Sequence, residues 1–170
     1  GEVVPGDAFV GREAEMDRLV GDLSAGQKVF LISPRRYGKS SLIRHALAAA
    51  ARRGALTAEV TVSSHSSYLS FLEGYARAIA AMETRLDRAR AWLSDVITST
   101  SPEVRFEPHN TGLGRFRVSF PEVSSSRDVN RLANEVFAMP GRLAGARTRP
   151  VVVALDEFQA IDGFDGGSVE

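Results

Sequence analysis

The sequence contains no cysteine, carries no net charge and has no long hydrophobic run. The absence of cysteine excludes a disulfide framework, a thiolate zinc site and a cysteine nucleophile, and it fits a reducing compartment such as the cytoplasm. With 21 basic and 21 acidic residues, overall charge gives no reason to expect nucleic acid or an anionic membrane as partner. No stretch approaches the roughly 20 apolar residues that span a bilayer, so we predict a cytoplasmic protein without a membrane segment.

The first 62 residues predict a unit of strand, loop, helix and strand. A short amphipathic helix is expected at residues 13–23, and residues 29–32 are apolar throughout, as in a strand buried on both faces. A glycine-containing loop leads into a helix at residues 40–52, and residues 55–62 form a second strand. This succession predicts an α/β fold with a parallel sheet in a chain of 170 residues.

The remaining residues predict further helices, a hairpin and one more buried strand. Helical spacing covers residues 68–97, as one long helix or two shorter ones, and residues 104–107 and 116–120 alternate like a hairpin. A helix at residues 128–137 would be interrupted or restarted by Pro140. Its inward residues are expected to be Val129, Leu132, Val136 and Phe137. Residues 151–155 read as a buried strand, and residues 162–170 as a loop.

One segment after the first strand has the pattern of a phosphate-binding loop. It reads Ser33-Pro34-Arg35-Arg36-Tyr37-Gly38-Lys39-Ser40-Ser41 and opens a helix. The general pattern is Gly, any four residues, then Gly-Lys-Ser/Thr, and only the first glycine is replaced here, by Ser33. Because serine adopts positive φ less readily than glycine, this replacement weakens the match.

Each retained residue of this segment has a physical role in binding ATP. Gly38 lets the backbone approach the phosphates, and the amides at the helix start point at the anion. Lys39 would reach the β- and γ-phosphates, the Ser40 hydroxyl would ligate Mg²⁺, and Ser41 could donate to the α-phosphate. A turn between strand and helix with an incidental Gly-Lys-Ser is the alternative.

Two acidic residues follow the third of the predicted buried strands, residues 151–155. Asp156 and Glu157 come at its carboxyl end, where ligands bind in parallel α/β sheets. Asp156 could hold Mg²⁺ through water, and Glu157 could accept a proton from the attacking water. Such a pair is often only the cap of a following helix, but its position after a phosphate loop favours catalysis.

Together these segments resemble the archaeal-type ATPase branch of the P-loop superfamily, which is related to the AAA+ and STAND ATPases. The resemblance covers nearly the whole chain and rests on three segments: Phe9-Val10-Gly11-Arg12-Glu13, Pro34-Arg35-Arg36-Tyr37-Gly38-Lys39-Ser40-Ser41-Leu42-Ile43 (Walker A) and Leu155-Asp156-Glu157-Phe158-Gln159 (Walker B). It implies that Val10, Gly11 and Arg12 lie near the adenine. Arg35 and Arg36 could hold phosphates or a neighbouring subunit, or could be solvated loop charges.

The resemblance also implies an architecture. It is a three-layer P-loop sandwich with a mostly parallel sheet in the order 5-1-4-3-2 and an inserted hairpin at about residues 103–121. The fourth strand would follow residue 170, so the chain is expected to be the N-terminal portion of a single ATPase domain, ending after the Walker B strand. Without that strand, the strands at residues 29–32 and 151–155 would be separated by a gap.

Three function classes follow from these residues. The first is ATP binding and Mg²⁺-dependent hydrolysis that drives a conformational switch in a regulatory or DNA-associated ATPase. The second is a nucleotide-dependent scaffold with negligible turnover, and the third is a small-molecule kinase, which Glu157 disfavours. Expected partners are ATP and ADP, further copies of the ATPase domain, and DNA or protein bound through C-terminal regions.

Two other groups of residues suggest no specific chemistry. The three histidines, His45, His65 and His109, lack metal-ligand spacing. Arginines alternate with phenylalanines in the predicted hairpin, as on some nucleic-acid surfaces, but a half-exposed hairpin explains that pattern equally well. The residues concerned are Arg105, Phe106, Arg115, Phe116 and Arg117.

Overall fold

The computed structural model describes residues 13–26, 38–83, 86–107 and 115–167. Its helices are α1 (Glu13–Ser24), α2 (Lys39–Arg52), α3 (Tyr68–Ala80), α4 (Leu86–Val96) and α5 (Ser126–Arg147). Its strands are β1 (Leu56–Thr61), β2 (Glu103–Glu107), β3 (Arg115–Ser119) and β4 (Val151–Asp156). Short 3-10 segments follow β1, at Val62–Ser64, and β4, at Phe158–Gly167. No helix in these ranges is long and apolar enough to cross a membrane.

The predicted parallel sheet is confirmed by the pairing of β1 with β4. The two strands are in register from Leu56 opposite Val151 to Thr61 opposite Asp156. In the expected order 5-1-4-3-2, β1 corresponds to the second strand and β4 to the third. These two strands are neighbours in that order, as they are in the structure. The strand expected at residues 29–32 lies outside the described residues, and so does the gap expected beside it.

Helices pack on both faces of this parallel pair because successive side chains of a strand point to opposite faces. Val152 and Ala154 of β4 pack with Leu47 and Ala50 of α2. The other face joins the main core, which α3, α4 and α5 supply; Val60 of β1 lies within it, and Val151, Val153 and Leu155 of β4 pack against it. The described part of the chain is therefore a mixed α/β fold with a helical layer on each side of the strands.

The region from residue 68 to residue 97 forms two helices. Ser67 begins α3 with a capping box, in which its hydroxyl accepts from the Ser70 amide and the Ser70 hydroxyl accepts from the Ser67 amide. The helix ends at Ala80, and α4 begins at Leu86. Of the two possibilities that the helical spacing allowed, the structure has the pair of shorter helices.

The prediction that Pro140 interrupts the last helix is wrong, because α5 continues through it to Arg147. A proline in a helix interior costs about 3 kcal/mol or more. Here the residues around it, Val136, Met139 and Leu143, are almost completely buried in the main core. Their packing holds the helix together where its backbone loses a hydrogen bond.

The expectation that Phe137 points inward is also wrong, since Phe137 is 44% exposed. It follows the buried Val136 by one position, and a step of one residue turns the side chain by about 100° around the helix, which places Phe137 at the edge of the buried face. Its ring lies at the border of the core, 5.4 Å from the ring of Tyr75 and 6.3 Å from that of Phe71. Leu132 and Val136 are buried as predicted, and Val129 is partly buried against the core.

The two alternating segments pair as antiparallel strands. Residues of β2 face residues of β3 from Glu103 opposite Ser119 to Glu107 opposite Arg115. Phe116, Val118 and the following Phe120 are buried, whereas Arg105 and Arg117 are exposed. This inward and outward alternation is the pattern of a strand pair with one face on the core.

The prediction of a loop at residues 162–170 is wrong for residues 162–167, and residues 168–170 lie outside the described residues. A 3-10 segment runs from Phe158 to Gly167, and Phe164 within it is buried with its ring centroid 6.1 Å from that of Phe71. The sequence does not predict this segment, because its glycine and aspartate residues are typical of loops. A 3-10 helix also lacks the apolar stripe of period 3.6 by which an α-helix is recognised. One aromatic anchor holds it against the core.

Glu135 of α5 forms hydrogen bonds with the residues that follow α4, and its replacement is expected to destabilise the fold. Its carboxylate accepts the backbone amides and hydroxyls of Thr98 and Ser99 at 2.7–3.2 Å. Since the site is partly exposed, we expect Glu135→Ala to cost about 1–2 kcal/mol of unfolding free energy. Urea unfolding would measure it, with Arg131→Ala on the same helix as control.

The pH dependence of these hydrogen bonds has a defined sign. Burial raises the pKa of Glu135, but the hydrogen bonds from Ser99 and Thr98 outweigh it and bring that pKa below its usual value. Because the folded state lowers the pKa, the stabilisation is present above the ordinary carboxyl pKa and is lost as the pH falls through the lowered value. Equal acid unfolding profiles for Glu135→Ala and the parent would contradict this role.

Candidate functional site

The beginning of α2 has the geometry of an anion-binding helix terminus. Gly38 precedes the helix with φ 70° and ψ 22°, a left-handed conformation that favours glycine, and its carbonyl accepts the Leu42 amide at 2.9 Å. Among the described residues, no side-chain hydrogen bond caps this terminus, and the first turn of the helix contains no acidic residue. The first amides of a helix have no partner within it, and the helix dipole adds partial positive charge there.

Asp156, the last residue of β4, lies against the start of α2. Its Oδ1 is 2.8 Å from the Lys39 ammonium, and its Oδ2 accepts the Ser40 hydroxyl at 2.6 Å. The amide of Glu157 donates to Oδ1 at 2.9 Å. Asp156 is only 5% exposed. Residues 116 positions apart in the sequence are thus joined in one cluster by the end of a strand and the start of a helix.

Asp156 carries its charge in this cluster. Burial raises the pKa of its carboxyl, but hydrogen bonds from Lys39, Ser40 and the Glu157 amide, together with the charge of Lys39, bring the pKa below its usual value. The carboxylate is therefore ionised at neutral pH. Its contribution to stability is present above the ordinary carboxyl pKa and is lost as the pH falls through the lowered one.

The oxygen atoms of Ser40 and Asp156 fit a magnesium ion that is shared with phosphates. Mg²⁺ prefers oxygen ligands and is usually held by one or two protein groups plus water and substrate phosphates. Within the ranges that the structure describes, no group of three or more histidine, cysteine, aspartate or glutamate side chains could hold a metal. The protein would supply two ligands, the Ser40 hydroxyl and the Asp156 carboxylate. An anion bound at the start of α2 would supply further oxygen ligands to the same metal.

Glu157 follows Asp156 with an unusual backbone. Its φ is 55°, in the left-handed region that costs non-glycine residues of order 1–3 kcal/mol. Its exposed carboxylate accepts a hydrogen bond from the Ser63 hydroxyl. A carboxylate at the open end of the sheet, next to the Lys39, Ser40 and Asp156 cluster, can accept a proton from a bound water.

Ser63 is a site residue that the sequence interpretation missed. It lies in the Val62–Ser64 segment directly after β1, and Thr61 of β1 is opposite Asp156 of β4. Because parallel strands end at the same edge, the polar residues after β1 and after β4 are neighbours. The signal that could have found Ser63 was therefore its place after the adjacent strand.

The structure brings together one part of the predicted site. Gly38, Lys39 and Ser40 lie at the start of α2 beside Asp156 and Glu157, and Ser41 lies in the same helical turn. The Ser41 carbonyl accepts from the His45 ring at 2.8 Å, a structural contact. The remaining predicted ATP-binding residues, Val10, Gly11, Arg12, Pro34, Arg35, Arg36 and Tyr37, lie outside the described residues.

Comparison with protein families identifies the domain family of the chain. A family model described as an AAA ATPase domain matches residues 8–165. The match spans both the segment around Lys39 and the segment around Asp156. No curated protein and no solved structure matches the chain.

Proposed function

Because the chain belongs to the AAA ATPase domain family, we propose that it binds ATP with Mg²⁺ at the start of α2 and hydrolyses it to drive a conformational switch in a regulatory or DNA-associated ATPase. Nucleotide binding and hydrolysis are the general activity of the family. The specific residues and the regulatory or DNA-associated role are our proposal. The observation that carries it is the cluster of Lys39, Ser40 and Asp156.

Each residue of the cluster has a distinct task. Backbone amides from Gly38 onward would contact phosphate oxygens, with Ser41 toward the α-phosphate, and the Lys39 ammonium would offset the charge of the β- and γ-phosphates. Ser40 and Asp156 would hold the metal, which when bound neutralises charge that develops on the phosphates. Glu157 would take the proton of the attacking water.

A scaffold that binds ATP with negligible turnover is the second candidate. It is favoured by the contact between Ser63 and the Glu157 carboxylate, which engages one of the two oxygens that a general base could use. The replacement of the first loop glycine by Ser33 points the same way. Under this reading ATP would bind with the same contacts, but Glu157 would stay with Ser63.

Steady-state phosphate release separates these readings. An ATPase releases phosphate continuously without an added acceptor, whereas a scaffold binds ATP and releases almost none. A kinase would consume ATP only when an acceptor is supplied. Sustained release that needs Mg²⁺ but no acceptor is the expected result, and ATP binding with no release above the rate in water would favour the scaffold.

Asp156→Asn is expected to weaken the use of Mg²⁺. The change keeps the size of the side chain but removes the charge that attracts the metal, so half-maximal hydrolysis should need about tenfold to a hundredfold more Mg²⁺. Asp87→Asn, at the start of α4, changes net charge equally and serves as the control. An unchanged Mg²⁺ requirement in Asp156→Asn would remove this residue from the metal site.

Finer assignments belong to the same proposal. The archaeal-type, STAND-related branch is supported by the paired arginines Arg35 and Arg36 before the Gly-Lys-Ser sequence. The strand pair β2 and β3 would be the hairpin inserted in that branch. Residues 10–12 would approach the adenine, and copies of the domain would associate with one another in the cytoplasm.

A further inference from the structure

A groove runs beside one edge of β1. Among the described strands, β1 pairs only with β4, so its second edge has no strand partner there. A cavity of about 300 Å³ adjoins β1, and because no residue of β4 lines it, we place it on the side of this second edge. It is lined by residues 57–59 of β1 and by Arg77, Ala78, Ala81 and Met82 at the end of α3.

The backbone of β1 presents hydrogen-bonding groups to this groove. The Leu56 amide donates to the Pro150 carbonyl at 2.8 Å, so Leu56 faces the side of β4. Because alternate residues of a parallel strand bond to opposite neighbours, the amides and carbonyls of Thr57 and Glu59 point to the groove. The backbone hydrogen bonds that turns, loops and caps form in the described parts of the chain include none of these groups.

Among the residues that the structure describes, this edge has little of the usual protection against strand addition. Exposed edges are commonly blocked by charged side chains, especially lysine, by proline, by bulges or by a covering element. The one charged residue of β1, Glu59, is engaged in an ion pair with Arg44. The sequence of β1, Leu-Thr-Ala-Glu-Val-Thr, has no lysine, proline or glycine and is rich in β-branched residues. The small side chains of Ala78 and Ala81 leave room above the edge for the side chains of an added strand.

The charges around the groove favour an acidic ligand. Glu59 is already paired with Arg44 of α2 at 3.2 Å. Arg77 is exposed, and no carboxylate within residues 13–26, 38–83, 86–107 and 115–167 forms an ion pair with it. Among the described residues that line the groove, the charge without an ion-pair partner is therefore the guanidinium of Arg77.

We propose that the second edge of β1 binds an extended peptide segment of a partner protein by strand addition. Main-chain hydrogen bonds to Thr57 and Glu59 would provide affinity, and an aspartate or glutamate at Arg77 beside small apolar residues at Ala78 and Ala81 would provide specificity. A six-residue edge is about 20 Å long. That is short for a stable dimer of folded chains, which buries about 1,600 Å², but sufficient for a peptide.

Hydrogen exchange tests this site directly. The probe is a synthetic ten-residue peptide selected against the purified protein from a random displayed library. Saturation with it should slow exchange of the Thr57 and Glu59 amides by about tenfold or more, while the Ala58 amide, already bonded to β4, changes little. Selected sequences should contain an acidic residue beside small apolar ones.

Two variants sharpen the test. Arg77→Glu should weaken peptide binding by about tenfold or more, whereas Arg90→Glu, the same charge change on α4, should leave it unchanged. Thr57→Pro removes one outward donor and should have a similar effect. Unchanged thermal unfolding and ATP binding of Arg77→Glu would show that its fold is intact, so this variant decides the matter even if Thr57→Pro folds poorly.

Three outcomes would overturn the proposal. The first is that the selected peptides bind Arg77→Glu as tightly as the parent and do not slow exchange of the Thr57 and Glu59 amides. Binding would then occur elsewhere on the protein. Strong protection of these two amides in the isolated protein would mean that another part of the chain covers the edge. Concentration-dependent dimers that protect the same amides without peptide would make a second copy the ligand.

Discussion

Replacing Glu157 by glutamine is expected to slow ATP hydrolysis by about a hundredfold or more, because a positioned general base typically contributes that much. The change removes the proton acceptor but keeps the shape of the side chain, which can still accept from the Ser63 hydroxyl. ATP affinity should stay within about twofold, since the contacts at Lys39 and Ser40 are retained. Phosphate release and equilibrium ATP titration on the same protein would measure the two effects.

Glu122→Gln provides a matched control for this change. Glu122 is an exposed glutamate in the turn before α5, so the substitution removes the same charge away from the site. Its hydrolysis rate should equal that of the parent. If Glu157→Gln also hydrolyses ATP at the parental rate, Glu157 serves only the local structure, and the scaffold becomes the better reading.

Lys39→Ala is expected to weaken ATP affinity by tenfold or more, which corresponds to about 1.4 kcal/mol. The ammonium offsets phosphate charge that would otherwise meet mainly backbone dipoles. In the structure the same ammonium lies 2.8 Å from Asp156. Its removal therefore also leaves a buried carboxylate without its cation, and the pKa of Asp156 should rise.

Stability must be followed in parallel, because loss of this ion pair alone could lower ATP binding through unfolding. Urea unfolding of Lys39→Ala gives the correction, and Arg52→Ala at the other end of α2 tests whether any cation on the helix matters. Identical ATP titration curves for Lys39→Ala and the parent, with both proteins folded, would end the phosphate-loop interpretation.

The half of the candidate site that joins Lys39, Ser40 and Asp156 could be predicted from the sequence. An acidic pair directly after a buried parallel strand lies at the carboxyl edge of the sheet, where ligands bind. Helix α2 begins where the Gly-Lys-Ser sequence indicated. Helices α1 and α2 and strands β1 and β4 follow the predicted segments within two residues. The period of hydrophobic residues and the residues that form turns depend on neighbouring positions only, so a short stretch of sequence is enough to predict these elements.

The features that could not be predicted depend on contacts between distant residues. The continuity of α5 through Pro140 comes from core packing around Met139 and Leu143, which local propensity does not contain. The contact between Ser63 and Glu157 joins residues 94 positions apart. The 3-10 segment after Glu157 is held by Phe164 on Phe71, again a tertiary contact.

Amide chemical shifts measured during titration with ATP and Mg²⁺ test most directly whether the cluster binds nucleotide. We predict saturable shifts concentrated at Lys39, Ser40 and Ser41 at the start of α2 and at Glu157 after β4, with the ATP affinity reduced when Mg²⁺ is chelated. Shifts that saturate at other residues while these four stay unchanged, or no saturable shifts at all, would contradict a nucleotide site at this helix terminus.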